Sequence, residues 1–171
     1  GLEFPVVFLT STGTGFTLMD LNQDILLHQE LGIGVKYIDY DMQIKYDTLT
    51  KLALKNKIYD AILSEEMRVL YVALTRAKEK LFITGITKDF EKEKQKKEEL
   101  ISIYKQEISK INPILVKKYK NYLDWIELVY LYASKMREIS NLNVINKLDI
   151  CKDLKQEEKQ EIDVIKIIQE N

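Results

Sequence analysis

The stretch from Ser64 to Gly85, SEEMRVLYVALTRAKEKLFITG, constrains the fold of this chain more than any other, because helical spacing, a basic cluster and a strand meet in it within a few turns. Leu63, Met67, Leu70, Leu74 and Ala77 recur at steps of four and three, which places them on one face of an α-helix. That face is expected to be core. Val69, Val72 and Ala73 widen the apolar surface round the sides, leaving a narrow polar strip with Arg68, Thr75, Arg76 and Glu79 for solvent or a ligand. A helix so covered belongs in an α/β layer structure. Leu81, Phe82, Ile83 and Thr84, closed by Gly85, read as a short interior strand directly after it.

Upstream, Pro5 to Leu9, PVVFL, is a β-branched and aromatic run without polar alternation, as expected of a strand covered on both faces. Thr10 to Gly15, TSTGTG, has the small residues of a phosphate-binding loop, but no Gly-Lys-Ser/Thr follows and no helix opens on it, so an ordinary turn is expected. Ile25 to Leu31 and Val35 to Tyr40 flank Gly32-Ile33-Gly34 and read as a hairpin. Tyr37, Tyr40 and Tyr46 add aromatic surface there; with only Lys36 and Lys45 nearby, packing explains them better than base stacking. From about Thr48, Leu49, Leu52, Ala53, Ile58, Ala61 and Ile62 carry helical spacing towards the central stretch. Ser64, followed by Glu65 and Glu66, has the chemistry of a fresh helix start.

After Gly85 the chain becomes charge-dense. Seven positive charges between Lys88 and Lys110 nearly balance six negative ones between Asp89 and Glu107, which predicts a solvated helix rather than a nucleic-acid stripe. Asn112-Pro113 starts a helix, with an N-cap followed by proline in the first turn. Beyond it Leu115, Tyr119, Tyr122, Leu123, Trp125, Ile126, Leu128, Val129 and Tyr132 form either core or a surface for another domain. Leu142 to Ile150 alternates as a strand does, and Leu154 to Ile168 has the spacing of a charged amphipathic helix. The division expected is an α/β portion over residues 1–87 and a mainly helical portion over 88–171.

With 26 Lys and Arg against 27 Asp and Glu, no global basic field points to nucleic acid or membrane. No apolar run approaches the roughly 20 residues of a membrane span. The single cysteine, Cys151, excludes an internal disulfide framework and fits a reducing cytoplasm, and the single histidine, His28, leaves no metal-ligand cluster to build. The chain lacks an initiator Met and opens directly before an apolar run, so a longer parent polypeptide is expected.

Two segments together resemble one family. Gly1-Leu2-Glu3-Phe4-Pro5-Val6-Val7-Phe8-Leu9 is similar to motif V of the UvrD/Rep/PcrA-type superfamily I helicases, and Glu65-Glu66-Met67-Arg68-Val69-Leu70-Tyr71-Val72-Ala73-Leu74-Thr75-Arg76-Ala77-Lys78 to their motif VI. The intervening Leu26-Leu27-His28-Gln29-Glu30-Leu31-Gly32-Ile33-Gly34 and the form VALTRAKEKL most resemble the AddA branch, the ATP-dependent helicase/nuclease chains of bacterial recombination and repair complexes.

The resemblance implies that residues 1–87 are part of the second RecA-like (P-loop NTPase-type) motor domain of a DNA helicase/exonuclease acting in double-strand break repair. Residues 88–171 would then be an extension towards a nuclease domain. ATP, with Mg²⁺, is implied in the cleft between this domain and an N-terminal RecA-like domain of the same parent. Arg76 matches the arginine that reaches the γ-phosphate, and Glu3 matches the glutamate near the nucleotide sugar. Glu66 and Arg68 are expected to form a supporting ion pair, with Thr75 as structural support. The implied partners are DNA and a second, AddB-type chain of the complex. The chain departs from the family pattern in lacking the start of motif V, a phosphate-binding loop, the acidic motif for Mg²⁺ and the clustered acids and cysteines of the nuclease. These 171 residues are therefore expected neither to hydrolyse ATP alone nor to hold a cofactor. A reading of a different class is a non-enzymatic module that docks a partner protein of the complex through the helix around Trp125.

Overall fold

Thr48 decides where the longest element begins. Its side chain accepts a hydrogen bond from the Lys51 N–H at 3.3 Å, satisfying one of the donors that a helix start leaves open. Its hydroxyl meanwhile donates to Val35 O at 2.7 Å. From this cap the computed structural model, which describes residues 2–104, 110–133 and 141–145, carries α1 without interruption over Leu49–Leu74. At 1.5 Å per residue it is about 39 Å long. Ser64 therefore lies inside a helix and starts none; the acidic pair that follows it needs no helix N-terminus here.

The two halves of α1 carry different loads. Its N-terminal half supports an antiparallel sheet of β2 (Ile25–His28), β3 (Gly32–Asp39) and β4 (Ile44–Asp47), in the order β2-β3-β4. The hairpin expected around Gly32 is present, with Leu27 opposite Ile33 and Ile25 opposite Val35; the third strand went unread because Lys45 and Asp47 interrupt its apolar pattern. Gly32 takes a positive φ of 80°, which the tight turn needs and a side chain would strain. Leu26, Leu54 and Leu21 are buried, and Gly34 lies so close to α1 that a Cβ there would stand 2.7 Å from both Leu54 Cδ1 and Lys51 Cα. On the far face Ile25, Leu27, Ile33, Val35, Tyr37 and Tyr46 are exposed, the two tyrosines side by side with ring centres 5.0 Å apart.

β1 (Phe4–Leu9) runs parallel to β5 (Ala77–Ile83), the pairing that requires a crossover such as α1 supplies. Here three expectations are corrected. Among the described residues β1 and β5 pair only with each other, so neither is interior, and Phe4, Val6 and Phe8 are exposed rather than covered. β5 also begins at Ala77, earlier than expected, because the helix ends at Leu74 and Ala77 pairs with Phe4. Met67, Val69 and Val72, read as core or its margin, are likewise 44–50% exposed, whereas Leu63 and Leu70 are buried. The loop after β1 is the turn expected: Ser11 adopts φ 58°, Thr14 N–H donates to Ser11 O, and no helix opens there.

After β5 come α2 (Phe90–Tyr104), α3 (Pro113–Lys118) and α4 (Tyr122–Tyr132). Asn112 caps α3 ahead of Pro113, as expected, but a second cap, Asn121, which accepts from Asp124 N–H at 2.7 Å, divides the expected single helix in two. Trp125 is buried against Leu63 and Leu70 of α1 and donates its indole N–H to Val116 O at 3.0 Å. Leu115, Leu128, Tyr132 and Ile101 make a second cluster between α2, α3 and α4. The aromatic helix is thus core, and Trp125 gives no anchor for docking a partner protein.

α2 is less solvated than its charge predicts: Lys97 is buried, with Nζ 2.6 Å from Asp124 Oδ1, a further bond to Glu127 Oε2, and the Tyr119 ring 5.3 Å away. The two carboxylates hold the ammonium charged against the desolvation that opposes it, raising its pKa on balance. The chain divides into two compact units, residues 1–136 and 137–171. In the second, residues 141–145 are neither helix nor strand, so the strand expected from Leu142 is absent over them. The rest of that strand, the helix expected over Leu154 to Ile168, and Cys151 lie outside the described residues.

Gly34→Ala is expected to destabilise this chain by about 1–3 kcal/mol, the usual cost of overpacking, read from urea unfolding. Asp24 bonds Lys36 at 2.7 Å and Lys45 at 3.0 Å, which lowers its pKa from 3.8 to about 2. A depressed carboxylate pKa contributes stability above its unfolded value and loses it as the pH falls through the folded one. Asp24→Asn should therefore flatten the pH dependence of stability between about pH 4 and pH 2, modestly because the pair is exposed.

Candidate functional site

The end of α1 and the beginning of β1, distant in sequence, meet at Arg76. Thr75 closes the helix: its N–H donates to Tyr71 O at 3.1 Å, and its hydroxyl reaches Tyr71 O at 3.0 Å and Val72 O at 3.1 Å. The chain then turns directly into β5, leaving Arg76 at the junction, half-buried.

Its guanidinium donates from Nε to Val72 O at 3.2 Å and from Nη1 to Leu2 O at 2.8 Å, while its own carbonyl accepts from Phe4 N–H at 2.9 Å. Glu3 is therefore bracketed by two residues that both bond Arg76, and it is itself exposed. The structure brings these two expected site residues to one place. Among the described residues no carboxylate pairs with Arg76, and Nη2 makes no hydrogen bond. Carbonyl acceptors fix a guanidinium without neutralising it, so the full charge and its spare donors remain for an anion.

The expected Glu66–Arg68 pair is not formed. Neighbours two apart on a helix point to different sides, and Arg68 instead pairs with Glu65 one turn back, at 3.2 Å on the exposed surface. Glu66 accepts a hydrogen bond from the Tyr122 hydroxyl of α4. Burial and that carboxylate push the Tyr122 phenol up to about 12. Sequence reasoning named Tyr122 only as an apolar anchor. Its partner was missed because no spacing rule links residues 56 positions apart, and the Leu2 and Val72 carbonyls carry no residue-type signal at all.

The described residues contain no group of three or more His, Cys, Asp or Glu side chains able to hold a metal ion. No helix among them is long and apolar enough to cross a membrane. An open hollow beside the first turns of α2 is lined by charged residues of both signs, including Asp89, Lys92 and Glu98, and does not include Arg76.

With helix, turn and strand so arranged, the class is defined: residues 1–88 match the UvrD-like helicase C-terminal domain, and the chain belongs to that family. Its similarity to particular proteins extends further along the chain. It is 51% identical over 154 residues to the ATP-dependent helicase/nuclease AddA of Clostridium perfringens (strain 13 / Type A), a match covering 87% of this chain and 12% of that protein. The corresponding protein of Clostridium novyi (strain NT) is 46% identical over 156 residues, covering 90% and 12%, and that of Ruminiclostridium cellulolyticum 48% identical over 126, covering 74% and 10%. The chain thus spans about one eighth or less of the length of these curated relatives.

Tyr122→Phe removes a hydrogen bond to a charged group and is expected to cost about 1.5–3 kcal/mol in urea unfolding. Glu66→Gln, which still accepts from the phenol, should cost less.

Proposed function

We propose that this chain is the C-terminal motor-domain part of an ATP-dependent DNA helicase/nuclease that processes double-strand breaks, and that Arg76 completes its nucleotide site. In this reading residues 1–87 belong to the second RecA-like domain and residues 88–171 to a helical extension towards a nuclease domain. The observation that carries it is the pairing of Arg76: a guanidinium held by the carbonyls of Leu2 and Val72, without a carboxylate partner among the described residues and with Nη2 uncommitted. The name that the relatives share, an ATP-dependent helicase/nuclease, supplies the class of reaction.

ATP bound between this domain and an N-terminal RecA-like domain of the same polypeptide supplies the phosphoanhydride whose hydrolysis drives movement on DNA. Arg76 would contact the γ-phosphate oxygens and offset the negative charge that develops as the terminal phosphoryl group departs. In this reading Glu3, exposed beside it, would accept hydrogen bonds from the sugar hydroxyls. Mg²⁺ would accompany the phosphates of that ATP. The exposed apolar side of β1, at Phe4, Val6 and Phe8, suits cover by further polypeptide of the parent. A second, AddB-type chain completes the complex, and the cytoplasm is its compartment.

Arg76→Ala in the full-length polypeptide should lower DNA-stimulated ATP turnover by about 10³- to 10⁵-fold, as for other arginine fingers, with nucleotide affinity changed only a few-fold. Unchanged turnover would remove Arg76 from the mechanism.

A further inference from the structure

We propose that Thr75 is a positioning residue for the Arg76 guanidinium, acting through a carbonyl that the helix leaves unpaired. The inference rests on the nucleotide-site reading of Arg76. In a regular helix the Arg76 N–H would close the next rung onto Val72 O. It donates instead to Ala73 O at 3.3 Å, while the Thr75 N–H goes to Tyr71 O at 3.1 Å. The backbone ladder thus passes over Val72 O, and two side chains take it: Thr75 Oγ1 at 3.1 Å and Arg76 Nε at 3.2 Å.

A carbonyl oxygen presents two lone pairs. With the Thr75 hydroxyl on one side, Nε is confined to the other, and that choice sets the plane of the whole guanidinium because Nε and both terminal nitrogens are coplanar. Nη1 then falls on Leu2 O at 2.8 Å, leaving Nη2 outermost and unbonded among the described residues. The single Thr75 hydroxyl proton is shared between Val72 O and Tyr71 O, the latter at 3.0 Å, which keeps the hydroxyl beside both carbonyls. Thr75 is exposed, so exchanging its hydroxyl for a methyl opens no cavity. What changes is the acceptor geometry at Val72 and the freedom of the arginine.

The test uses the full-length polypeptide carrying Thr75→Val, which keeps the branched shape, and Thr75→Ser, which keeps the hydroxyl. Thr75→Val should lower the kcat of DNA-stimulated ATP hydrolysis by about 10- to 100-fold, the scale of a misplaced catalytic group, with KM for ATP held within about threefold. Thr75→Ser should restore kcat to within about threefold of the unsubstituted protein. In an Arg76→Lys background, where no guanidinium remains to be aimed, Thr75→Val should have no further effect. Equal loss in the serine and valine variants, unchanged kcat in Thr75→Val, or the same fold-loss in the Arg76→Lys background would each overturn the assignment. Unchanged turnover in Arg76→Ala would overturn this and the nucleotide-site reading together; its collapse beside a fully active Thr75→Val overturns the Thr75 role alone.

Discussion

The burial of Trp125 against Leu63 and Leu70 is the contact on which the rest of the arrangement depends. A buried aromatic of this size contributes some kilocalories per mole through the apolar area it removes from water. Here it also fixes α4 to the C-terminal half of α1. Phe16 and Tyr122 crowd the same indole, with ring centres 4.8 Å and 6.2 Å away, so the loop after β1 and the start of α4 are gathered by one side chain. Backbone bonds from Leu123 N–H to Thr12 O and from Phe16 N–H to Lys120 O complete the joint. Gly85 lies close against this joint: a Cβ there would stand 2.7 Å from Leu123 Cδ2 and displace that side chain.

The Arg76 junction inherits its geometry from that joint. α1 is held at its two ends by different partners, the antiparallel sheet at the first and α4 at the second, and its last turn is delivered beside β1. Two main-chain carbonyls, Leu2 O and Val72 O, then hold the guanidinium as a carboxylate would elsewhere, but without cancelling the charge, while Phe4 N–H donates to the Arg76 carbonyl.

Much of the fold could be read from the residues because periodicity reports burial directly. The hairpin about Gly32, the cap at Asn112, the start of α1 near Thr48 and the turn after β1 all carried local chemistry that tertiary packing left alone. The readings that failed did so where packing, not propensity, decided. Ser64 had a cap's chemistry but sits within a helix already nucleated at Thr48. The apolar runs of β1 and β5 have the composition of interior strands, yet among the described residues each has a single neighbour. Of the candidate site, Arg76 and Glu3 were singled out by motif resemblance, and the fold brings them together through Leu2 and Phe4. The partners of Glu66 and Arg68 were not, since choosing between Glu65, Glu66 and Tyr122 depends on which side of α1 meets α4.

Lys97 was hidden in a charged run, although its place in the stripe with Ile101 and Tyr104 marks it as inward-facing. Its ammonium, gripped by Asp124 and Glu127, makes the α2–α4 interface discontinuous in the way a tooth in a rack is. Leucines and isoleucines tolerate small slippage, because one methyl contact resembles the next. A shift of α2 by one helical turn, about 5.4 Å, would instead strand one positive and two negative charges away from water. The alignment of these helices is therefore all-or-none, a digital setting within an otherwise analogue core.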